Sequence, residues 1–274
     1  MKTDVADSIV NVRSRAAIAP RRPLLIAHRG GVLAPHAPEN SLAAIRLAAE
    51  HRYDMVELDV REAADGVPVL YHDGSMERHT GLLGRVEDYT SDQLRKTVYL
   101  ASKERVITLE QAFEACRDLK LGVMFDVKAP GDTYSDDFFN RINNLIDAYG
   151  LENSCVVING NDRIQEGFRD RARLRIEDDL FERIQSGESV DLSGYFWFAM
   201  RKDLPDDSVK RMQDLGALVI PAMNTFRYPA HAFMEMARRD VHDCLALAVD
   251  GFQIDSVYTE FFTEGIRERY GYTN

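Results

Sequence analysis

Apolar residues along the chain fall into two alternating rhythms. Near-continuous Val/Ile/Leu/Phe runs, as strands covered on both faces require, occupy residues 24–29, 55–61, 121–128, 154–159, 173–177, 194–200, 217–224 and 251–256. Amphipathic stretches at helical spacing lie between them, at 41–51, 109–119, 136–149, 162–171, 180–186, 208–215 and 228–244, with a last helix at about 259–269. Eight strands alternating with helices predict a parallel α/β fold, and the count favours a closed (β/α)8 TIM barrel. One segment breaks the rhythm. After the tight-turn pair Asp65-Gly66, residues 67–72 read as an extra short strand, followed by a polar excursion to about Val106. The expected organisation is an N-terminal extension at 1–22 and one barrel domain at 23–274, with an insertion at about 73–106. Residues 16–20 of the extension are expected to pack on the outside of the barrel.

Length agrees with this reading, since 274 residues suit one α/β barrel and bury a large core without disulfides. The net charge of −11 would repel a duplex or an anionic membrane on average. It argues against polybasic anchoring but not against a small anionic substrate, because a bound cation can invert the field inside one pocket. Cys116, Cys155 and Cys244 are odd in number and lack metal-type spacing, so they read as free buried thiols of a reducing compartment. The N-terminus carries Asp4 and Asp7 without a long apolar run, and no segment has the roughly 20 apolar residues of a membrane helix. A cytoplasmic protein without integral membrane contact is expected. The oligomeric state stays open, a homodimer being one option.

Parallel barrels do chemistry at the carboxyl ends of their strands. Those positions hold His28-Arg29, Glu57 and Asp59, Asp126 and Lys128, Asn159, Glu177, Arg201, Asn224 and Asp255. Residues two apart on a strand face the same way, so Glu57 and Asp59 both point into the mouth. Two adjacent carboxylates repel unless a cation or proton lies between them, and oxygen-only ligands suit Mg²⁺ or Ca²⁺. Read alone, the pair also fits an exposed strand end. Asp126-Val127-Lys128 repeats the spacing: Asp126 would complete the ligand set and Lys128 would face a phosphate-like group, although a simple ion pair fits too. His28 is followed by Arg29 and the glycines 30 and 31, which suggest close backbone approach to a ligand. His72 ends the extra strand on the same rim, and two histidines flanking a phosphate suit general acid and base. The histidines at 36, 51, 79, 231 and 242 read as structural.

In order and spacing, the segments His28-Arg29-Gly30-Gly31, Pro38-Glu39-Asn40-Ser41, Val56-Glu57-Leu58-Asp59, Asp65-Gly66, Leu70-Tyr71-His72-Asp73, Arg78-His79-Thr80-Gly81 and Thr108-Leu109-Glu110 resemble the glycerophosphodiester phosphodiesterase family. The resemblance covers roughly residues 24–130. It implies a TIM barrel with a divalent cation, Mg²⁺ or Ca²⁺, that hydrolyses a small-molecule glycerophosphodiester to an alcohol and glycerol 3-phosphate. Carried over by position, Glu57 and Asp59 with Asp126 become metal ligands and His28 and His72 the acid/base pair. Arg29, Lys128 and Asn224 become substrate-binding residues. Where the family usually has Glu, this chain has Asp126, whose shorter side chain should shift the ion or admit water. Asp126 with Lys128 instead resembles sphingomyelinase-D-like phospholipases. From Asn159 onward the match is loose: the strand-seven tryptophan is replaced within Pro221-Ala222-Met223-Asn224, and strand eight ends Ile254-Asp255-Ser256-Val257. The alternatives are therefore a sphingomyelinase-D-like lipid phosphodiesterase and a non-catalytic binding barrel.

Overall fold

The computed structural model describes residues 8–100, 102–128 and 134–262. Eight parallel strands close into a (β/α)8 barrel: β1 (Leu24–Ala27), β2 (Met55–Glu62), β4 (Gly122–Val127), β5 (Cys155–Val157), β6 (Arg173–Arg175), β7 (Tyr195–Ala199), β8 (Leu218–Met223) and β9 (Gly251–Ile254). Closure is made by β1, which pairs Ile26 with Met55 on one side and Leu24 with Gly251 on the other. The ninth strand, β3 (Pro68–Leu70), runs antiparallel to β2 and is the extra strand expected after Asp65-Gly66. The intervening helices are α1 (Leu42–Glu50), α2 (Leu109–Leu119), α3 (Asp136–Ala148), α4 (Asp162–Phe168), α5 (Asp178–Gln185), α6 (Asp206–Asp214) and α7 (Phe233–Ala246). Side-chain oxygens start several of them: Ser41 accepts from the Ala44 N–H and Thr108 from the Gln111 N–H. The expected final helix begins as a 3₁₀ segment at Ser256–Phe262, and its remainder, 263–269, lies outside the described residues.

Strand alternation splits the core into two layers. Val56, Leu58 and Val60 of β2 and Val123, Phe125 and Val127 of β4 face outward onto residues such as Ile45 and Phe113 of the helices. Ile26, Met55, Met124, Val156, Phe196, Leu218 and Ile220 face inward and form a separate cluster. Val10, Val12 and Ile18 of the N-terminal segment belong to this inner cluster. The expectation that 16–20 lies outside the barrel is therefore wrong. The segment caps the amino end, where Val12 accepts a hydrogen bond from Arg173 at the start of β6 and donates to the Asn153 carbonyl. An open barrel end would leave the inward apolar layer wet, and burying Ile18 alone contributes roughly 1.5–3 kcal/mol.

The insertion is more than the polar loop its composition suggests. Met76, Val86, Leu94, Tyr99 and Val106 gather with Val69 and Tyr71 into a satellite core beside the barrel. Cys116, Cys155 and Cys244 are buried and free, and burial pushes the Cys116 thiol up to about 12. Among the described residues no helix is long and apolar enough to cross a membrane.

Candidate active site

The inward row of β2 runs from apolar to charged. Met55 sits in the inner core, and Glu57 and Asp59 follow it toward the carboxyl end, both fully buried. On β4 the same row is Met124, Asp126 and Lys128, with Asp59 and Asp126 side by side in the register. Carboxylate oxygens of Glu57, Asp59 and Asp126 all lie within 4.8 Å of one another. Asp126, though shorter than the glutamate expected there, still reaches the group.

Each acid is held differently. Glu57 Oε2 accepts the Arg29 backbone N–H at 2.6 Å, whereas Oε1 is buried without a hydrogen bond. Asp59 Oδ2 accepts from Asn40 Nδ2 at 2.7 Å, and the Asp59 N–H donates to Asn40 Oδ1 at 3.1 Å. Asp126 accepts from Asn159 Nδ2 at 3.1 Å. Lys128 Nζ is 2.5 Å from Asp126 Oδ2 and 3.0 Å from Asp59 Oδ1, so its ammonium lies against two of the three acids. Burial, then repulsion from Asp59 and Asp126, pushes the Glu57 carboxyl well above its ordinary range. Burial acts on Asp59 too, but Lys128, His72 and Asn40 outweigh it and hold that group low. Three clustered carboxylates, one with an orphan oxygen and a resisted charge, suit a divalent cation.

The first loop explains the paired glycines. Arg29 and Asn40 both take left-handed backbone, at φ 58° and 56°. A Cβ on Gly30 would lie 2.6 Å from the Asn40 Cα, and one on Gly31 would lie 2.1 Å from the Ala44 carbonyl oxygen. The close approach that these glycines permit is to the chain's own 38–44 segment, which presses Asn40 onto Asp59. Ser41 caps α1. The Arg29 guanidinium donates to Glu39 Oε2 at 2.8 Å.

Both histidines have a carboxylate on Nδ1. His28 Nδ1 is 2.5 Å from Asp255 Oδ1 at the end of β9, and His72 Nδ1 is 2.8 Å from Asp73 Oδ1. Asp255 is itself fixed by the Thr225 N–H and hydroxyl, at 2.6 and 2.7 Å. Burial raises the Asp255 carboxyl, but the bond to His28 and the Thr225 donors prevail and hold it low.

Three further groups escaped the site assignment. Asp255 sat at a strand end in the sequence, but nothing there pairs it with His28, 227 positions away. Arg61 continues the row of Glu57 and Asp59 and clamps the His72 and Lys128 carbonyls at 3.0 and 3.1 Å; strand alternation was the signal for it. His79, read as structural, lies 3.2 Å from Glu39 and 3.7 Å from Asp73, and the three form a second cluster able to approach a cation. Asn224 is buried, donating to Gln253 Oε1 at 3.1 Å and accepting from Arg227 Nε at 3.0 Å, so it faces the mouth through Arg227.

Comparison with known proteins matches residues 28–144 to the model of the glycerophosphoryl diester phosphodiesterase family. Glycerophosphodiester phosphodiesterase 1 of Mus musculus is 42% identical over 132 residues, 45% of this chain and 39% of that protein. The glycerophosphodiester phosphodiesterase of Caldanaerobacter subterraneus subsp. tengcongensis is 31% identical over 146 residues, 51% of this chain and 59% of its own length. The chain thus spans less than two thirds of each of these relatives. Its fold matches the crystal structure of a glycerophosphoryl diester phosphodiesterase from Parabacteroides distasonis, with TM-score 0.68 and 18% identity over 92% of this chain and 91% of that one. An Oleispira antarctica phosphodiesterase in complex with the product sn-glycerol-3-phosphate matches with TM-score 0.66 and 18% identity, over 85% and 93%. At such identities the likeness is one of fold.

Proposed function

We propose, from the match of residues 28–144 to the model of the glycerophosphoryl diester phosphodiesterase family, that this chain hydrolyses a glycerophosphodiester to an alcohol and glycerol 3-phosphate. The observation that carries this reading is the convergence of three carboxylates, Lys128, Arg29 and two carboxylate-braced histidines on one barrel mouth. Glu57, Asp59 and Asp126 would hold a divalent cation, Mg²⁺ or Ca²⁺, which when bound supplies Lewis-acid polarisation of the phosphate. Arg29 and Lys128 neutralise the charge that grows on the phosphoryl oxygens. Asn224 acts by holding Arg227.

Because Asp255 and Asp73 take the Nδ1 atoms of His28 and His72, Nε2 is the nitrogen each ring has for proton transfer. His28 acts as base, removing the proton of the attacking hydroxyl, and His72 as acid, protonating the leaving oxygen. The attacker is either the substrate's neighbouring hydroxyl, giving a cyclic phosphate that water then opens to glycerol 3-phosphate, or water itself. Buried free thiols fit a reaction in the reducing cytoplasm. Purified protein assayed on glycerophosphocholine with Mg²⁺ or Ca²⁺, against a chelator control, tests the reading. Metal-dependent release of glycerol 3-phosphate is expected; full turnover by His28→Ala would sink the assignment.

A further inference from the structure

Across the mouth from β2 and β4, a cleft of about 460 Å³ lies over the carboxyl ends of β6, β7 and β8. Arg175 and Arg227 line it together with Trp197, Phe198 and Met200. Two guanidinium groups share this cleft with little to balance them. Among the described residues Arg175 has only Glu177 as an ionic partner, at 3.5 Å, and its buried Nε makes no hydrogen bond. Arg227 is held by neutral partners, Nε on Asn224 Oδ1 at 3.0 Å and its carbon plane 5.1 Å from the Phe226 ring centre. Among the described residues no carboxylate lies within 4 Å of it. Burial, with the Arg175 charge contributing, keeps its pKa below the usual arginine value. The acids offset this only in part: Asp203 and Asp255 act on Arg227 from beyond contact distance, and burial still prevails; Asp203 is 3.1 Å from Lys202, and Asp178 opens α5, where the helix dipole stabilises it.

A braced arginine beside a second one, over an aromatic floor, is a receptor for a planar or tetrahedral anion. Its link to the reacting centre is short. Asn224 holds Arg227, and the next residue, Thr225, fixes the carboxylate of Asp255 that braces His28. The Phe226 ring is 6.2 Å from the His28 ring. The cleft and the three acids share the carboxyl end of the barrel, which offers the arginines to the other arm of a diester whose phosphate lies over the acids.

We propose that Arg175 and Arg227 bind a second anionic group, a carboxylate or a phosphate, carried on the alcohol moiety of the diester. This rests on the phosphodiesterase reading, and two measurements on the full chain separate their failures. The first compares kcat/KM on glycerophosphoserine and bis(glycerophospho)glycerol, which carry a carboxylate and a second phosphate, with glycerophosphocholine, which carries a cation. Since a charged hydrogen bond is worth more than one factor of ten, a preference of about tenfold for at least one anionic diester is expected, and R175Q or R227Q should bring the ratio toward one. Which anionic diester is preferred identifies the group. A flat wild-type profile, or a preference that survives both substitutions, overturns the proposal. Inactivity on all three diesters overturns the parent reading instead, and the cleft is then judged by binding alone. Trp197 is the chain's one tryptophan and lines the cleft. With EDTA present, inorganic phosphate should change its emission saturably in the wild type but not in R227Q; an unresponsive wild type, or an equal response in the variant, overturns the anion site.

Discussion

Asp250 at the amino end of the barrel and Glu57 at its carboxyl end are both fully buried carboxylates, and they are satisfied very differently. Asp250 accepts the Val219 N–H at 2.9 Å and Gln213 Nε2 at 3.0 Å, with Arg15 and Arg22 at 3.2 and 3.3 Å. Beside it, buried Arg173 donates to the carbonyls of Val12, Tyr195 and Gly216. Glu57 has one backbone donor, an orphan oxygen and two acidic neighbours. Saturated buried charge holds a structure together; incompletely satisfied charge holds room for something absent from the chain itself. In the proposed function the barrel therefore separates stability at one end from chemistry at the other.

The sharpest way to break that division is at the carboxyl end. Glu57→Gln and His28→Ala should each lower kcat/KM by about 10²- to 10⁴-fold, measured by steady-state assay on a glycerophosphodiester. In EDTA the Glu57→Gln protein should be as stable in urea as wild type or more so, since burying that charge is unfavourable. A large loss of stability would mean that Glu57 is structural.

Asp250→Ala should do the reverse. Losing the acceptor for the Val219 N–H and the two arginines should cost about 3 kcal/mol in urea unfolding. The kcat of the folded fraction should stay unchanged, and a fall in kcat would erase the distinction between the two ends.

A smaller effect sharpens the carboxyl side. Asp255 touches no substrate in this reading and serves to position His28. Asp255→Asn should lower kcat by about 10- to 100-fold and displace the pH profile of kcat, with KM little changed. A pH profile identical to wild type would exclude this role.

The smallest effect concerns the other histidine. Burial pushes the Asp73 carboxyl up, but hydrogen bonds from Arg78 and His72 prevail and hold it down at about 2. Its folded value thus lies below an unfolded value of about 4, so it stabilises the fold above that pH and loses the contribution as pH falls toward 2. Water screens the group, and the contribution should stay under about 1 kcal/mol. Acid unfolding of Asp73→Asn should show a correspondingly flatter slope between pH 4 and 2; an unchanged slope would remove Asp73 from the account.

Legibility followed sequence distance. Glu57, Asp59 and Asp126 were readable because strand alternation makes residues two apart share a face, and β2 and β4 are neighbours. The same alternation places Arg61 in that row, two residues beyond Asp59. The apolar run at 16–20 says that the segment is covered, not by which surface. The satellite core of the insertion was hidden because Met76, Val86, Leu94 and Tyr99 are scattered among polar residues without a period.

The amino-acid sequence by itself determined the alternation of strands and helices, the inward row of acids and the ordered motifs of residues 24–130, since each depends on local backbone geometry or short spacing. Only the tertiary structure decided that Asp255 braces His28, that Asn40 locks Asp59, that Val10, Val12 and Ile18 seal the amino end, and that Arg175 and Arg227 share a cleft. These pairings join segments far apart in the chain. Barrel closure brings them together, and no local pattern encodes which distant side chain will meet a given atom.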